Sequence, residues 1–228
     1  MEHRSRTLKA LTAPRAAAAA GVVFALLFGA AIILIRSSLP EGAEPGSQWL
    51  EAGSVKMRVA AELMPFAGIS FLWFIGVVRD GLGQLEDRFF GTVFLGSGLL
   101  FLAMTFSSSA IGAGLAASNT ALGGAEAHTD VAVFGQMAVL VLSKTYALRM
   151  AAVFMISLAT IWLRTQLMPR WLVIVSYVMA VTLLIASDVS MWLALAFPSW
   201  VLIVSVLLLT RAGVFERHRD EYQNSVRS

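Results

Sequence analysis

The sequence predicts an all-α membrane protein, a polytopic bundle of six transmembrane helices with both termini in the cytoplasm. Hydrophobic residues make up 58% of the chain and charged residues only 14%, compared with roughly a quarter charged in soluble proteins. The mean hydropathy is +0.77. Apolar runs of about 20 residues, the length a helix needs to cross a bilayer, alternate with short charged segments. We therefore expect one integral membrane domain that occupies residues 1–228.

The first apolar run, AAAAAGVVFALLFGAAIILI, is too long for the core of a signal peptide and ends in Ile-Arg, so we interpret it as an uncleaved span. Pro65 lies inside the second span, where neighbouring helices can satisfy the carbonyl that it frees. Pro198 predicts a kink or a late start in the sixth span. The six predicted spans are about 16–35, 59–78, 89–110, 145–163, 171–187 and 191–210.

The orientation follows from the positions of the 17 Lys and Arg residues. Most of them lie before the first span, in the 79–88 and 164–170 segments, and after the sixth span. Because basic residues favour the cytoplasmic side, these segments are predicted to be inside and the chain to cross the membrane an even number of times. The abundance of Arg and Ala suggests a bacterial protein, which would lie in the cytoplasmic membrane.

The apolar run 131–163 is unusual, because as a helix it would be roughly 50 Å long and the hydrocarbon core is about 30 Å thick. Counting back from Arg164, which should mark the inner boundary, gives a span at 145–163. The partly apolar segment 111–143 is therefore predicted to lie on the outer side. Its last part, 131–143, could be interfacial, re-entrant or a protruding helix.

Charged residues near this segment form the candidate ligand-binding site. Arg149 lies roughly 22 Å from the inner boundary and Glu62 roughly 24 Å, so the two share a depth in the outer half of the membrane. Intramembrane charges usually pair or line a watery cavity. We expect Glu62 to pair with Arg149, and Arg58, Lys144 and Asp188 to complete a polar cluster. In the alternative interpretation Lys144 extends to the headgroups and Glu62 with Arg149 is a structural clasp.

Other site chemistry has little support in the sequence. The chain has no cysteine, and its histidines (His3, His128 and His218) lie outside the spans, so no metal site or cofactor is predicted within the bundle. His128 with Glu126 and Asp130 is better explained as a solvated acidic loop than as a metal site. No hydrolase or nucleotide-binding motif occurs, and Ser107, Ser108 and Ser109 are interpreted as helix-packing hydroxyls. No catalytic residue is predicted.

Two regions carry a resemblance to a family. One is ELMPFAGISFLWFIGVVRDGLGQLEDRFFGTVFLGSGLLF, residues 62–101, and the other runs from LRTQLMPRWLVIVSY, residues 163–177, to FPSWVLIVSV. In these segments the chain resembles a group of uncharacterised actinobacterial six-helix integral membrane proteins that share a domain of unknown function. The resemblance implies the six-helix fold and assigns no functional residue.

Two functions are compatible with these features. In the first, the outer-facing polar cluster binds or transports a small molecule or a lipid, and the protein could work as a homo-oligomer. In the second, the chain is a non-catalytic structural subunit or assembly factor whose outer segment contacts a membrane protein partner. An enzyme acting on lipids ranks last, because only Glu62 and Lys144 could supply its acid and base. The lipid bilayer is the expected environment, and the scattered basic residues do not indicate nucleic acid.

Overall fold

A computed structural model describes residues 2–38, 51–82, 88–121, 129–186 and 191–210 of the chain. All secondary structure in these ranges is helical, which confirms the all-α fold class, while the six spans and the cytoplasmic termini stay predictions. A π-helical segment, Val141–Ala147, joins α4 directly to α5, and a 3₁₀ turn, Met191–Leu195, precedes α7. The helices are α1 (Glu2–Ser38), α2 (Glu51–Leu82), α3 (Arg88–Ala121), α4 (Thr129–Leu140), α5 (Leu148–Thr165), α6 (Arg170–Ala186) and α7 (196–210).

Five stretches of the described helices are long and apolar enough to cross a membrane. They are Ala18–Ile35, Val55–Asp80, Phe89–Ala117, Val133–Thr165 and Trp192–Thr210. The helix α6 has 17 residues and is apolar but shorter. The structure is therefore that of a helical, membrane-embedded protein, because lipid-exposed backbone must satisfy its hydrogen bonds within helices.

Residues 131–143 form a helix that is continuous with α5. The apolar stretch Val133–Thr165 has no break between α4, the π-helical segment and α5. The helix α3 also continues past the predicted boundary at 110, as far as Ala121. At about 1.5 Å per residue both helices are longer than the hydrocarbon core, so they tilt or extend beyond it.

Of the five apolar stretches, Val133–Thr165 is the one most enclosed by its neighbours. The helix α2 packs along α1 and α3, and α5 packs between α3 and α6. The helix α7 contributes a buried stripe to the core, and its Ser205 lies against Gly21 of α1, where a Cβ would find no room. We call the end of the bundle at which α1 ends and α2 begins the upper end.

At the lower end, the turn between α5 and α6 has a local explanation. Gln166 adopts a left-handed backbone conformation (φ 53°) that stops α5 after Thr165, and its side-chain amide donates a hydrogen bond to the carbonyl of Leu163 at 2.6 Å. Pro169 then precedes α6, and its carbonyl accepts from the amide of Leu172 at 3.0 Å. The two helices are thereby held close together and antiparallel.

An aromatic cluster fills the middle of the bundle. Phe71 of α2 is fully buried, and its ring centroid lies 4.6 Å from Phe24, 5.2 Å from Phe154 and 5.5 Å from Phe101. Rings from five helices thus interlock in the offset and edge-to-face arrangements that aromatic side chains prefer. The members of the aromatic cluster are Phe24, Phe28, Phe71, Phe74, Phe94, Phe101, Phe154, Phe197 and Trp200.

The close approach of α3 to its neighbours depends on Gly98. A Cβ at this position would lie 2.7 Å from Cδ1 of Ile75 and 3.1 Å from Cδ2 of Phe154. We expect Gly98→Leu to lower the free energy of unfolding by about 1–3 kcal/mol because the added side chain overpacks the core. The matched control is Gly96→Leu on the same helix, where a Cβ meets no heavy atom within 4 Å. Thermal unfolding in one detergent compares them, and equal melting temperatures would contradict the packing argument.

Candidate functional site

The π-helical segment, VLSKTYA, contains Lys144 of the predicted polar cluster and ends two residues before Arg149. A π-helix pairs each amide with the carbonyl five residues earlier, so it takes in one residue more than an α-helical turn and alters the direction of the side chains. Long π-helical pieces are rare, and those inside α-helices are frequently found at functional sites. Here the segment lies in the upper half of the bundle, where Ser143 and Ala147 line a cavity between the helices.

A cavity lies between the upper halves of the helices. Its enclosed space is about 40 Å³, or about 610 Å³ when the open space at its mouth is included, and most of its wall is apolar. Phe28 and Phe101 of the aromatic cluster both line it, so on that side the packed rings bound the space. The other apolar lining residues are Ile32, Ile35, Met57, Met64, Val139, Leu140, Ala147, Leu148 and Ala194.

One wall of the cavity carries hydroxyl groups from α3 and from the π-helical segment. Thr105 donates a hydrogen bond to the carbonyl of Phe101 at 2.8 Å, and Ser108 donates across the helix interface to the carbonyl of Val139 at 3.0 Å. Ser143 donates to the same carbonyl at 2.7 Å. Because each hydroxyl uses its single proton on a carbonyl, its oxygen lone pairs remain able to accept hydrogen bonds from a bound molecule. Ser109 also lines this wall.

The hydroxyl of Ser108 has a structural role as well. Its bond to Val139 connects α3 to the end of α4 immediately before the π-helical segment. The interpretation of this serine as a helix-packing hydroxyl is confirmed. The sequence does not show that the same residue lines a cavity, because the widened helix that creates the space has no signature of its own.

Two of the three cations of the predicted polar cluster lie on one continuous helix. Lys144 lies in the π-helical segment and Arg149 in the first turn of α5, and both side chains are half-buried. Nη1 of Arg149 donates a hydrogen bond to the carbonyl of Thr145 at 3.0 Å. The guanidinium thus lies along the π-helical backbone, which offsets part of the cost of placing its charge in the bundle.

The other three residues of the predicted polar cluster do not lie on this helix. Glu62 and Arg58 are exposed on α2, whereas Met57 and Met64 of the same helix line the cavity. The helix α2 packs against α1 and α3, while Arg149 belongs to α5, which packs against α3 and α6. The ion pair between Glu62 and Arg149 stays a prediction. Asp188 lies outside the described residues.

No group of three or more His, Asp or Glu side chains able to hold a metal ion occurs in the ranges that the structure covers. Of the acidic-loop residues, Asp130 is exposed at the start of α4, and Glu126 and His128 fall outside those ranges. The cavity itself presents hydroxyl and apolar groups, which suit an organic ligand.

Comparisons with known proteins give no match to a family model, a curated protein or a solved structure. The fold and the cavity define the class directly: an all-α, membrane-embedded helix bundle with a cavity between the upper halves of its helices. Membership of the actinobacterial six-helix group stays a prediction based on the segments 62–101 and 163–177.

Proposed function

We propose that this protein binds a small molecule or a single lipid in the upper cavity, and that it is a multi-pass protein of the bacterial cytoplasmic membrane. The observation that carries the proposal is an open, mostly apolar cavity with one hydroxyl-bearing wall formed partly by a π-helical segment. Ligand sites in proteins are usually concave and mostly apolar, with a few polar groups that orient the ligand. An open apolar cavity beside an irregular helix has these properties.

The lining indicates the chemistry of that occupant. Its apolar side chains suit an acyl or similar hydrocarbon chain, and the hydroxyl oxygens of Thr105, Ser108 and Ser143 suit a hydroxyl or amide group placed on one side. Lys144 and Arg149 lie on the helix that forms this wall, and their charge favours an anionic headgroup nearby. A single-chain anionic lipid combines all three features.

The topology proposed from the basic residues makes the upper end the outer side. With six spans and both termini in the cytoplasm, the cavity faces outward. The aromatic cluster packs the bundle between the cavity and the lower end, and Phe71 and Phe154 in it are fully buried. This arrangement supports binding from the outer leaflet rather than passage across the membrane.

Native mass spectrometry of gently extracted protein tests the proposal. We expect a discrete bound molecule in the wild-type protein, and at least a tenfold lower occupancy in Ser109→Phe, because the ring fills the cavity that Ser109 lines. Ser107→Phe is the matched control, since Ser107 is exposed on the same helix. Equal occupancy in both variants, or no bound molecule in the wild-type protein, would contradict the proposal.

The structural-subunit function is supported by a different observation. Val131, Phe134 and Met137 of α4 are exposed, Phe134 to 75%, on the helix that extends beyond the length of one span. Such a surface has to be covered by lipid or by a partner. The same mass spectra distinguish the two functions, because a stoichiometric protein partner without a small molecule would favour the subunit.

A further inference from the structure

The exposed side of α2 has a regular pattern that the cavity does not explain. Six exposed residues follow one another at intervals of four and three positions in turn, so they lie along one narrow stripe of the helix. This heptad spacing is the pattern by which two helices pack along their length. The opposite side, with Met57, Met64 and Phe71, packs into the bundle. We call the exposed stripe the α2 stripe; it consists of Val55, Val59, Glu62, Phe66, Ile69 and Trp73.

Two charges lie at the upper part of the α2 stripe. Glu62 is a member of the stripe, and Arg58 precedes it by one helical turn on the same side. Both are exposed, and both fall within Val55–Asp80, the stretch apolar enough to cross a membrane. A charged side chain that faces hydrocarbon costs several kcal/mol unless it finds a partner. Arg58 and Glu62 can pair with each other within one helix, and a neighbouring helix with the same pattern offers each of them a second partner.

We propose that two copies of this chain pack side by side through the α2 stripe, with Arg58 of each copy paired to Glu62 of the other. Copies in one membrane share an orientation, so a two-fold axis along the membrane normal places α2 parallel to α2 of the second copy. Each stripe then meets an identical stripe, and each Arg58 lies one helical turn, about 6 Å along the axis, from the level of the opposite Glu62, a distance that the long arginine side chain can span. The four charges sum to zero.

The self-complementary charges favour a second copy over other occupants. Anionic lipid could neutralise Arg58 but would repel Glu62, so lipid matches only half of the pattern. Another protein would have to supply an acid within reach of Arg58 and a base within reach of Glu62. A second copy supplies both at the required positions, with Val59 and Phe66 as apolar contacts on either side of Glu62.

A mixing experiment tests the pairing directly. The Arg58→Glu chain carries two acids in the stripe and the Glu62→Arg chain carries two bases, so neither pairs well with itself. Co-expressed with different tags, the two variants should form the mixed pair about tenfold more often than either homopair. A salt bridge within one helix would give no such preference, because both variants destroy it equally.

The absence of cysteine from the sequence allows a second readout. Val59→Cys should cross-link to a dimer on mild oxidation in native membranes, whereas Val181→Cys, on an exposed position of α6, should not. The charge-reversal control is Asp80→Arg at the exposed lower end of the same helix, which should leave the pairing unchanged. Three outcomes would overturn the proposal: statistical mixing of the tagged variants, equal cross-linking at both positions, or cross-linking of Val59→Cys only to a different protein.

Discussion

Replacing Phe71 with alanine should lower the free energy of unfolding by roughly 3 kcal/mol. Phe71 is fully buried, and its ring contacts those of Phe24, Phe101 and Phe154 from three other helices. Within a membrane the transfer of the ring from water contributes little to helix association, so the loss comes mainly from the cavity and from missing ring contacts.

The matched control for this substitution is Phe66→Ala on the same helix. Phe66 is 62% exposed, so its ring faces lipid, and the same atoms are removed without opening an interior cavity. Reversible unfolding in mixed micelles, followed by tryptophan fluorescence, gives both values. Similar losses for the two variants would show that Phe71 is not surrounded by the aromatic cluster. The comparison should be made in monomeric protein, because Phe66 belongs to the proposed dimer contact.

Much of the fold was predictable from hydropathy, and α6 shows why. Its observed range, Arg170–Ala186, differs by one residue at each end from the predicted span 171–187. Arg170 and the preceding Pro169 mark the start in the sequence, and an uninterrupted apolar run follows. Where an apolar run exceeds one membrane crossing, hydropathy no longer specifies the outcome. Residues 131–143 had three possible arrangements, and the helix continuous with α5 depends on packing against α3.

The candidate site was less predictable. The sequence indicates how deep in the membrane a residue lies more readily than which side of its helix it occupies. Glu62 and Arg149 were predicted at matching depths, but depth does not specify which side of α2 carries Glu62. The heptad spacing of the apolar residues around Glu62 was the available signal, and it places Glu62 on the side away from Met57 and Met64. Ser143 and Ser108 were not predicted as cavity residues, because the π-helical register arises from packing and leaves no motif.

Deleting Thr145 should abolish binding in the cavity, with at least a tenfold loss of bound molecule. A π-helical turn contains one residue more than an α-helical turn, so removing one residue from Val141–Ala147 lets the whole stretch become α-helical. Relative to α5, the preceding helix α4 must then rotate by about 100° and move by about 1.5 Å. The carbonyl of Val139 and the hydroxyl of Ser143 would turn away from the cavity wall.

The same deletion breaks the bond from Ser108 to the carbonyl of Val139, which costs about 1 kcal/mol in addition to the repacking of α4 against α3. Thr145→Ala is the control, because it removes the side chain while keeping the chain length and therefore the π-helical register. We expect this control to retain the bound molecule in native mass spectra and to melt close to the wild-type temperature. If the deletion variant instead keeps full occupancy, the cavity does not depend on the π-helical segment. The wall formed by Ser108 and Ser143 would then be unnecessary for binding, and the exposed surface of α4 would become the better candidate for function.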